Sequence, residues 1–368
     1  MFDWVVKIVQ WDRIWMYKII FIVYSQPMLW NKIEQIKDLL SRTRQIAIVS
    51  HRNPDGDAYG SSLGLFHFLK KKGHKVNFVT PNDCPNFLKW MPGVDDILIF
   101  EEDQVRASQV LQNAEIVFAL DFNALNRVGN EMLAVLEKID PVYVLIDHHP
   151  DPDDFADFTF VDVKICSTSQ MIYQLIESLG ELDLLDKEMA SCLYAGILTD
   201  TGSFRFPNTS GDTHRIAAHF LDLGIDHTKI YGLIYENSFD RLKLLGKAIN
   251  NLVYLKDYRT AYITMSNHEL NKFNYQKGDT EGLVNYALSL TDVIFAAIFI
   301  EDKQQGIIKI SFRSKGDFNV NELSRAHFNG GGHINAAGGR SEKSLNETVA
   351  EFLGVLPHYK VSLMQGHE

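Results

Sequence analysis

The sequence predicts an α/β protein, with a doubly wound, mainly parallel sheet followed by a smaller α/β domain. Before about residue 240, short apolar runs alternate with helical patterns, which is typical of a parallel sheet covered by helices on both faces. Three of these runs stop abruptly at aspartate or histidine. From Leu252 onward the pattern changes, and we expect a second sheet with its own helices.

The first strand is predicted over residues 45–50, where four apolar residues stand in a row. A proline and a glycine then impose a turn, so we expect His51, Asp55 and Asp57 to point at one place from a loop. Two carboxylates held this close repel each other, and a divalent cation between them is the ordinary remedy. The alternative is that the aspartates merely cap the next helix.

A helix is predicted over residues 58–72, because Leu63, Phe66 and Leu69 recur on one face and Gly73 is a stop signal. The small residues at its start, Gly60 among them, are expected to allow close packing on the sheet. Further strands are predicted at 75–80 and 97–100.

Two more predicted strands are followed directly by acidic or imidazole side chains, as the first one is. Residues 115–120 run into Asp121, and residues 142–146 run into Asp147, His148 and His149. Ligands of open parallel sheets bind outside the carboxyl ends of the strands, so these residues are expected to share one crevice with the first loop.

Helices are predicted at 167–179, opened by Ser-Thr-Ser, and at 186–200, which has one apolar face. The second of these helices delivers Asp200 at its end. Alone, Asp200 would be an ordinary surface acid, but beside the other acidic residues it is interpreted as another ligand. Residues 203–240 are predicted to be helices and connections.

The second sheet is predicted from strands at 253–255, 261–264, 293–300 and 307–311. After it, Gly330, Gly331 and Gly332 offer backbone N–H groups unobstructed by side chains, a natural cradle for an anion, and His333 can add charge. Arg313, at a strand end, is a candidate phosphate ligand. The alternatives are a plain loop and a solvated arginine.

Length, net charge and cysteine spacing restrict which classes of protein this chain can belong to. The 368 residues, of mass 42.0 kDa, are enough for two domains with separate cores. A formal net charge of −11 argues against a long nonspecific nucleic-acid track, which needs many lysines and arginines, but allows a short anionic substrate. Cys84, Cys166 and Cys192 lack paired spacing and are interpreted as reduced thiols of a cytoplasmic protein.

Residues 1–30 are richer in Trp, Ile and Met than the rest, but charged residues interrupt any apolar run before it reaches the length of a membrane helix. We therefore expect no transmembrane segment, and an extension at 1–30 outside the fold. A first domain is predicted at 31–238, a linker at 239–250 and a second domain at 251–368. Translation starting at Met28 would explain the extension; a membrane-surface helix is the alternative.

Carboxylates with imidazoles, and no CxxC or HExxH, favour a hard divalent ion over a structural zinc. Mn²⁺ is the first choice, with Mg²⁺, Fe²⁺ or Co²⁺ as alternatives. The number of candidate ligands is sufficient for two ions, the arrangement used for in-line phosphoryl displacement.

Jointly, the motifs resemble those of the DHH phosphoesterases over about residues 30–357. The first four are His51-x-x-Pro54-Asp55-x-Asp57, Asp121 after a strand, Asp147-His148-His149, and Asp200. Gly330-Gly331-Gly332-His333, then Ala336-Ala337-Gly338, resembles the signature of the accompanying DHHA1 domain. Asn329 stands where many members have a fourth glycine. Within the family, the size and domain pairing are similar to those of the nanoRNase branch.

The resemblance implies roles for these residues. One Mn²⁺ would be held by His51, Asp55 and Asp121, and the other by Asp57, Asp121, His148 and Asp200, so that Asp121 bridges. Asp147 would support a ligand or be an additional one, and His149 would face the scissile phosphate. The substrate would be gripped across an active-site cleft between the domains by Arg313, Gly330, Gly331, Gly332 and His333.

The implied activity is hydrolysis of short RNA or DNA oligonucleotides to mononucleotides, and of 3′-phosphoadenosine 5′-phosphate (pAp) to AMP, by a hydroxide that two metal ions activate. Alternatives are a cyclic di-AMP or pApA phosphodiesterase and, from another class, a catalytically silent nucleotide-binding regulator. A RecJ-like exonuclease would need more basic charge and a further domain, and a family II pyrophosphatase differs in its second domain. Whether the chain forms a homodimer is left open.

Overall fold

The computed structural model describes residues 32–276 and 278–365, so the extension predicted at 1–30 lies outside the described residues. The first sheet has six strands, all parallel to their neighbours. They are β1 Gln45–Val49, β2 Lys75–Thr80, β3 Leu98–Ile99, β4 Ile116–Leu120, β5 Val142–Asp147 and β6 Phe158–Val161. Their order, β3-β2-β1-β4-β5-β6, reverses direction between β1 and β4, where sheets of this kind bind ligands.

Helices cover both faces of this sheet, as predicted. Successive strand residues point to opposite faces: Ile46 and Ile48 of β1 belong to one hydrophobic core, and Ala47 and Val49 to another. This is why the strands read as unbroken apolar runs. The helices of this part are α1 Ile33–Leu39, α2 Gly56–Lys71, α3 Gln104–Gln112, α4 Asn130–Leu136, α5 Thr168–Leu179, α6 Lys187–Asp200, α7 Gly211–Asp222 and α8 His227–Tyr235.

Helices α2 and α6 approach each other closely because α2 presents a glycine every fourth residue, at Gly56, Gly60 and Gly64. A methyl group on Gly60 would lie 2.6 Å from the carbonyl oxygen of Cys192 and 2.9 Å from the nitrogen of Gly196, both in α6. The expectation that Gly60 packs on the sheet is therefore wrong, because its partner is a helix. This contact brings the first turn of α2 against the last turn of α6.

The second sheet also has six strands, in the order β11-β12-β10-β9-β8-β7. They are β7 Val253–Leu255, β8 Thr260–Met265, β9 Phe295–Asp302, β10 Ile307–Ser314, β11 Gly331–His333 and β12 Ala336–Ser341. Strands β8 and β9 are parallel, and the other neighbours are antiparallel. The helices are α9 Phe239–Asn250, α10 Asn267–Lys272, α11 Leu283–Leu288, α12 Val320–His327 and α13 Leu345–Met364.

The predicted linker at 239–250 coincides with helix α9. Its buried residues Leu244 and Ala248 pack with Ile263 and Ile298 of the second sheet, so the helix contributes to the second core. The domain limits themselves stay a prediction.

Two predicted strands differ in extent from the observed ones. The strand at 97–100 is reduced to Leu98–Ile99, since the N–H of Ile97 donates to Val94 and closes a turn. The strand at 293–300 begins instead at Phe295, because the N–H of Val293 closes another turn at Leu290. Local turn hydrogen bonds therefore engage the first residue of each predicted strand, Ile97 and Val293.

Among the residues that the structure describes, no helix combines the length and the apolar character needed to cross a membrane.

The close contact between α2 and α6 predicts that Gly60→Ala destabilises the first domain by about 1–3 kcal/mol, because the added methyl overlaps the backbone of α6. Gly246→Ala is the matched control, since no described atom lies within 4 Å of a methyl at this position in α9. Alanine there should be neutral or stabilise by up to about 1 kcal/mol. Urea unfolding followed by circular dichroism measures both changes; equal effects would contradict the packing.

Candidate metal centre

The loop after β1 delivers the first three polar groups of the site. The N–H groups of Asp57 and Ala58 both donate to Oδ1 of Asp55, which is therefore the N-cap of α2. Asp57 itself lies in the first turn of this helix, so the expectation that both aspartates sit on a loop is wrong for Asp57. Capping leaves Oδ2 of Asp55 available, and the cap and ligand interpretations do not exclude each other.

Asp121 follows β4 and occupies the centre of the site. Its φ of 65° is left-handed, a conformation that is uncommon for a residue with a side chain and that concentrates at functional sites. Its buried carboxylate faces two ways: Oδ2 lies 3.6 Å from Nε2 of His51, and Oδ1 lies 3.5 Å from Nε2 of His148.

His148 brings the ends of four elements together. From the carboxyl end of β5, its Nε2 lies 3.2 Å from Oδ2 of Asp200 at the end of α6, and 3.8 Å from Oδ2 of Asp57 at the start of α2. Asp121 after β4 completes the group. The segments predicted to share one crevice therefore do so in the structure.

Both imidazoles are oriented by main-chain carbonyl groups. Nδ1 of His51 donates to the oxygen of Arg52 at 3.0 Å, and Nδ1 of His148 donates to the oxygen of Ile165 at 3.2 Å. Each ring thus points Nε2 at the carboxylates, and this nitrogen could coordinate an ion once its proton was displaced. Metal-binding histidines are held in this way.

Asp147 and His149 form a pair at the edge of this cluster. Oδ1 of Asp147 accepts hydrogen bonds from Nδ1 of His149 at 2.7 Å and from the N–H of His148 at 2.8 Å. Among the described residues, none gives a hydrogen bond to the buried Oδ2 of Asp147. Nδ1 of His149 lies 3.8 Å from Asp121, so the pair borders the central carboxylate.

Excess negative charge dominates the electrostatics. Burial, then Asp121 and Asp200, raise the pKa of Asp57, and burial raises the pKa of Asp200 to about 7. Burial alone would lower the pKa of His51, but Asp121 and Asp55 raise it to about 9. The carboxylates thus favour protonation of the neighbouring groups, and a bound cation would displace these protons.

The residues fit divalent ions. His51, Asp55 and Asp121 offer donor atoms within 4.8 Å of one another, and so do Asp57, Asp121 and His148. Two ligand atoms that each lie about 2.1 Å from one ion are roughly 3.0–3.4 Å apart. The separations of 3.2–3.8 Å around His148 are close to that range, and most exceed hydrogen-bond length. Oδ2 of Asp147, which has no hydrogen-bond partner among the described residues, is a further oxygen atom that could coordinate an ion.

The second domain reaches the cluster through His333 and Arg313. The ring of His333 stacks on that of His149, with centroids 4.4 Å apart, and lies 5.1 Å from that of His148. Burial, then the charges of His149 and His148, lower the pKa of His333 to about 3. Burial lowers the pKa of Arg313, while the charges of Asp200 and Glu281 raise it, and Nη1 of Arg313 donates to the carbonyl oxygen of Phe312 at 2.9 Å.

The glycine segment differs from the expected open cradle. Gly331–His333 is an edge strand, the N–H of Gly330 donates to Ser324, and that of Gly332 donates to Oδ1 of Asn321 at 3.0 Å. A methyl on Gly330 would overlap the carbonyl oxygen of Gly338. These two N–H groups are engaged, and close strand packing explains the glycines; their role in substrate binding stays a prediction.

Asn329, which replaces a glycine of the family signature, adopts a backbone conformation that glycine would also adopt. Its φ is 48°, in the left-handed region that glycine adopts freely and that asparagine tolerates better than other residues. Replacing the glycine by asparagine therefore preserves the turn that leads into β11.

Sequence reasoning missed Thr168 and Ser169, which contact two of the predicted ligands. Thr168 donates to Asp57 and Asp121, and Ser169 donates to Asp57. The available signal was the Ser-Thr-Ser at the start of α5, which was interpreted only as a helix start.

Comparison with known proteins agrees with this geometry. A model of the N-terminal domain of the DHH family matches residues 45–197, and a model of the DHHA1 domain matches residues 257–357. The resemblance inferred from the motifs is thereby confirmed.

Relatives and a solved structure match over most of their length. The bifunctional oligoribonuclease and PAP phosphatase NrnA of Bacillus subtilis is 30% identical over 297 residues, which cover 79% of this chain and 88% of the relative. That of Thermus thermophilus is 29% identical over 314 residues, 85% of this chain and 89% of the relative. The crystal structure of an exopolyphosphatase-related protein from Bacteroides fragilis is 40% identical, has a TM-score of 0.88, and covers 93% of this chain and 100% of its own.

The left-handed backbone at Asn329 predicts that Asn329→Ala lowers the free energy of unfolding by about 1 kcal/mol, whereas Asn329→Gly leaves it nearly unchanged. Asn271→Ala is the control, since Asn271 is exposed in helix α10 and alanine is favourable there. Thermal unfolding of the three variants would test this. A glycine variant less stable than the alanine variant would refute the backbone explanation.

Proposed function

This chain belongs to the DHH family of metal-dependent phosphoesterases, and from this premise we propose that it hydrolyses short oligoribonucleotides to mononucleotides and pAp to AMP, with a pair of divalent ions. The names of the two NrnA relatives, which state both activities, support these substrates. One observation carries the proposal: the two carboxylate oxygens of Asp121 point to different groups of candidate ligands, Oδ2 toward His51 and Oδ1 toward His148.

We assign one ion to His51, Asp55 and Asp121, and the other to Asp57, Asp121, His148 and Asp200. Mn²⁺ is the preferred ion, because carboxylate oxygens predominate among the donors and imidazole is tolerated. When bound, such a pair lowers the pKa of water and neutralises charge on the phosphoryl group. The protein's part is to hold the bridging carboxylate rigidly, and the constrained backbone of Asp121 supports this.

His149 is assigned to the scissile phosphate. Because Asp147 accepts the proton of its Nδ1, its Nε2 is the nitrogen left to bind a nonbridging oxygen or to protonate the leaving group. The carboxylate of Asp147 also fixes the orientation of the ring.

Arg313 and His333 are assigned to the rest of the substrate. Both belong to the second domain: the ring of His333 contacts those of His148 and His149, and the pKa of Arg313 responds to the charge of Asp200. The imidazole of His333 lies against His149, so the two domains are in contact beside the position assigned to the phosphate. A contact between the domains at this place supports a preference for the ends of short chains over long strands.

We further propose two domains, with limits at 31–238 and 251–368; the separate cores of the two sheets support the division, and helix α9 between these limits packs with the second core. A cytoplasmic location is also proposed, and the three buried free thiols support it.

Asp121→Ala is expected to abolish hydrolysis, because it removes the only carboxylate assigned to both ions. Its rate on a short RNA with Mn²⁺ should fall to that of the wild type in EDTA. Asp95→Ala, which changes an exposed aspartate in the turn before β3, is the control and should retain the wild-type rate. Release of mononucleotide measured by anion-exchange chromatography decides between these outcomes. Wild-type turnover by Asp121→Ala would disprove the assignment.

The same assay on pAp, a diribonucleotide, cyclic di-AMP and pyrophosphate ranks the substrates. The proposal requires the highest kcat/KM on the diribonucleotide or pAp. A preference for cyclic di-AMP would favour the phosphodiesterase alternative, and tight binding without product would favour a silent regulator.

Arg313→Ala should raise KM by roughly 10- to 100-fold and change kcat much less, because a charged contact to bound substrate is made in both ground and transition states. Arg340→Ala is the control, an exposed arginine on the neighbouring strand β12. Steady-state kinetics on a diribonucleotide measure the two constants; a fall in kcat at unchanged KM would reject this role.

A further inference from the structure

Thr168 occupies a position between two of the carboxylates assigned to the metal ions. It is the first residue of α5, and its side chain is fully buried. Asp57 and Asp121, which it contacts, come from α2 and from the end of β4, so one residue joins two separate segments of the site.

The contacts use both donors of the residue. The N–H of Thr168 donates to Oδ2 of Asp57 at 2.6 Å, and the adjacent N–H of Ser169 donates to Oδ1 of Asp57 at 2.9 Å. The hydroxyl of Thr168 donates to Oδ1 of Asp121 at 3.0 Å. That oxygen is also the one nearest to His148 and His149.

The hydroxyl has no capping role that would account for it. Ser167 is the N-cap of α5, and its own side chain accepts the N–H of Gln170. The first N–H groups of a helix lack partners within the helix and attract negative charge, which accounts for the contact with Asp57. Neither helix capping nor the contact of the N–H with Asp57 requires the hydrogen bond from the hydroxyl to Asp121.

Such a bond is expected to act on metal binding. A carboxylate that bridges two ions must keep both oxygens in fixed directions, and it loses affinity if it can rotate. Asp121 is held at its backbone by its N–H, which donates to Ile146 of β5, and at Oδ1 by this hydroxyl. Removal of the hydroxyl leaves that oxygen next to His148, itself an assigned ligand, and His149, which is assigned to the phosphate.

We propose that Thr168 is a positioning residue, whose hydroxyl orients the bridging carboxylate of Asp121 and thereby sets the affinity for the metal pair. This inference rests on the proposed function, of which it specifies one determinant. It assigns Thr168 no contact with substrate.

Mn²⁺ titration of the metal-free full-length protein, followed by the electron paramagnetic resonance signal of free Mn²⁺, tests this without substrate. Thr168→Val keeps the shape and the N–H but removes the hydroxyl, and it should weaken binding by roughly 10- to 100-fold. Thr168→Ser restores a hydroxyl and should bind within about threefold of the wild type.

Thr260→Val is the matched control, because Thr260 is equally buried and its hydroxyl donates to the carbonyl oxygen of Tyr258 in the second domain. It should bind Mn²⁺ like the wild type, while its thermal midpoint in EDTA falls about as far as that of Thr168→Val. If Thr168→Val does not fold, Thr168→Ala replaces it in the same Mn²⁺ titration.

Mn²⁺ affinity of Thr168→Val within threefold of the wild type would overturn the inference and leave the proposed function intact. A wild-type protein that binds no Mn²⁺ would overturn both. Failure of Thr168→Ser to restore affinity would also count against the hydroxyl, and would assign the effect to packing.

Discussion

Burial of several carboxylates in one small space is the constraint on which the rest of this structure depends. Asp57, Asp121 and Asp147 are almost fully removed from solvent, and like charges at such distances repel strongly where the dielectric is low. Folding supplies partial compensation from His51, His148 and the N-terminus of α5. The compensation is incomplete, as the raised pKa values of Asp57 and Asp200 show, and a divalent cation would complete it. The fold can therefore be understood as a support for cations.

Two features of the scaffold make that support rigid. The reversal of strand order between β1 and β4 opens a crevice at the carboxyl ends of those strands, which holds His51 and Asp121. The glycines of α2 let α6 approach to backbone contact, which holds Asp57 and Asp200 together from elements far apart in sequence. Neither feature contains a ligand, yet a shift of either would separate the ligands by more than an ion can bridge.

Local pattern was sufficient to predict β1, β4 and β5 and the residues at their ends, but it missed β6, β11 and β12. Asp121 and His148 follow apolar runs, and parallel pairing brings such ends together whatever the details of packing. Position within a turn was harder, because Asp57 entered the helix once Asp55 capped it. The partner of Gly60 and the contacts of Thr168 depend on which helix meets which, a tertiary property that no local pattern contains. The same holds for the glycine segment, whose N–H groups are engaged by Ser324 and Asn321 from another element.

The two domains contribute different kinds of chemistry to the cleft. The first supplies negative charge and fixed imidazoles, which suit cations, whereas the second supplies the guanidinium of Arg313, which suits anions. The second also supplies His333, whose lowered pKa leaves it neutral, so the expectation that it adds charge is wrong and it can only exchange hydrogen bonds. A phosphate placed between them would meet ions on one side and the guanidinium on the other. Because each side alone leaves its charge unbalanced, a substrate with a phosphate at this junction is favoured by both domains at once. The stacking of His333 on His149 joins the two domains at this point. Under the proposed function, selection for short substrates would follow from this interdomain contact beside the phosphate.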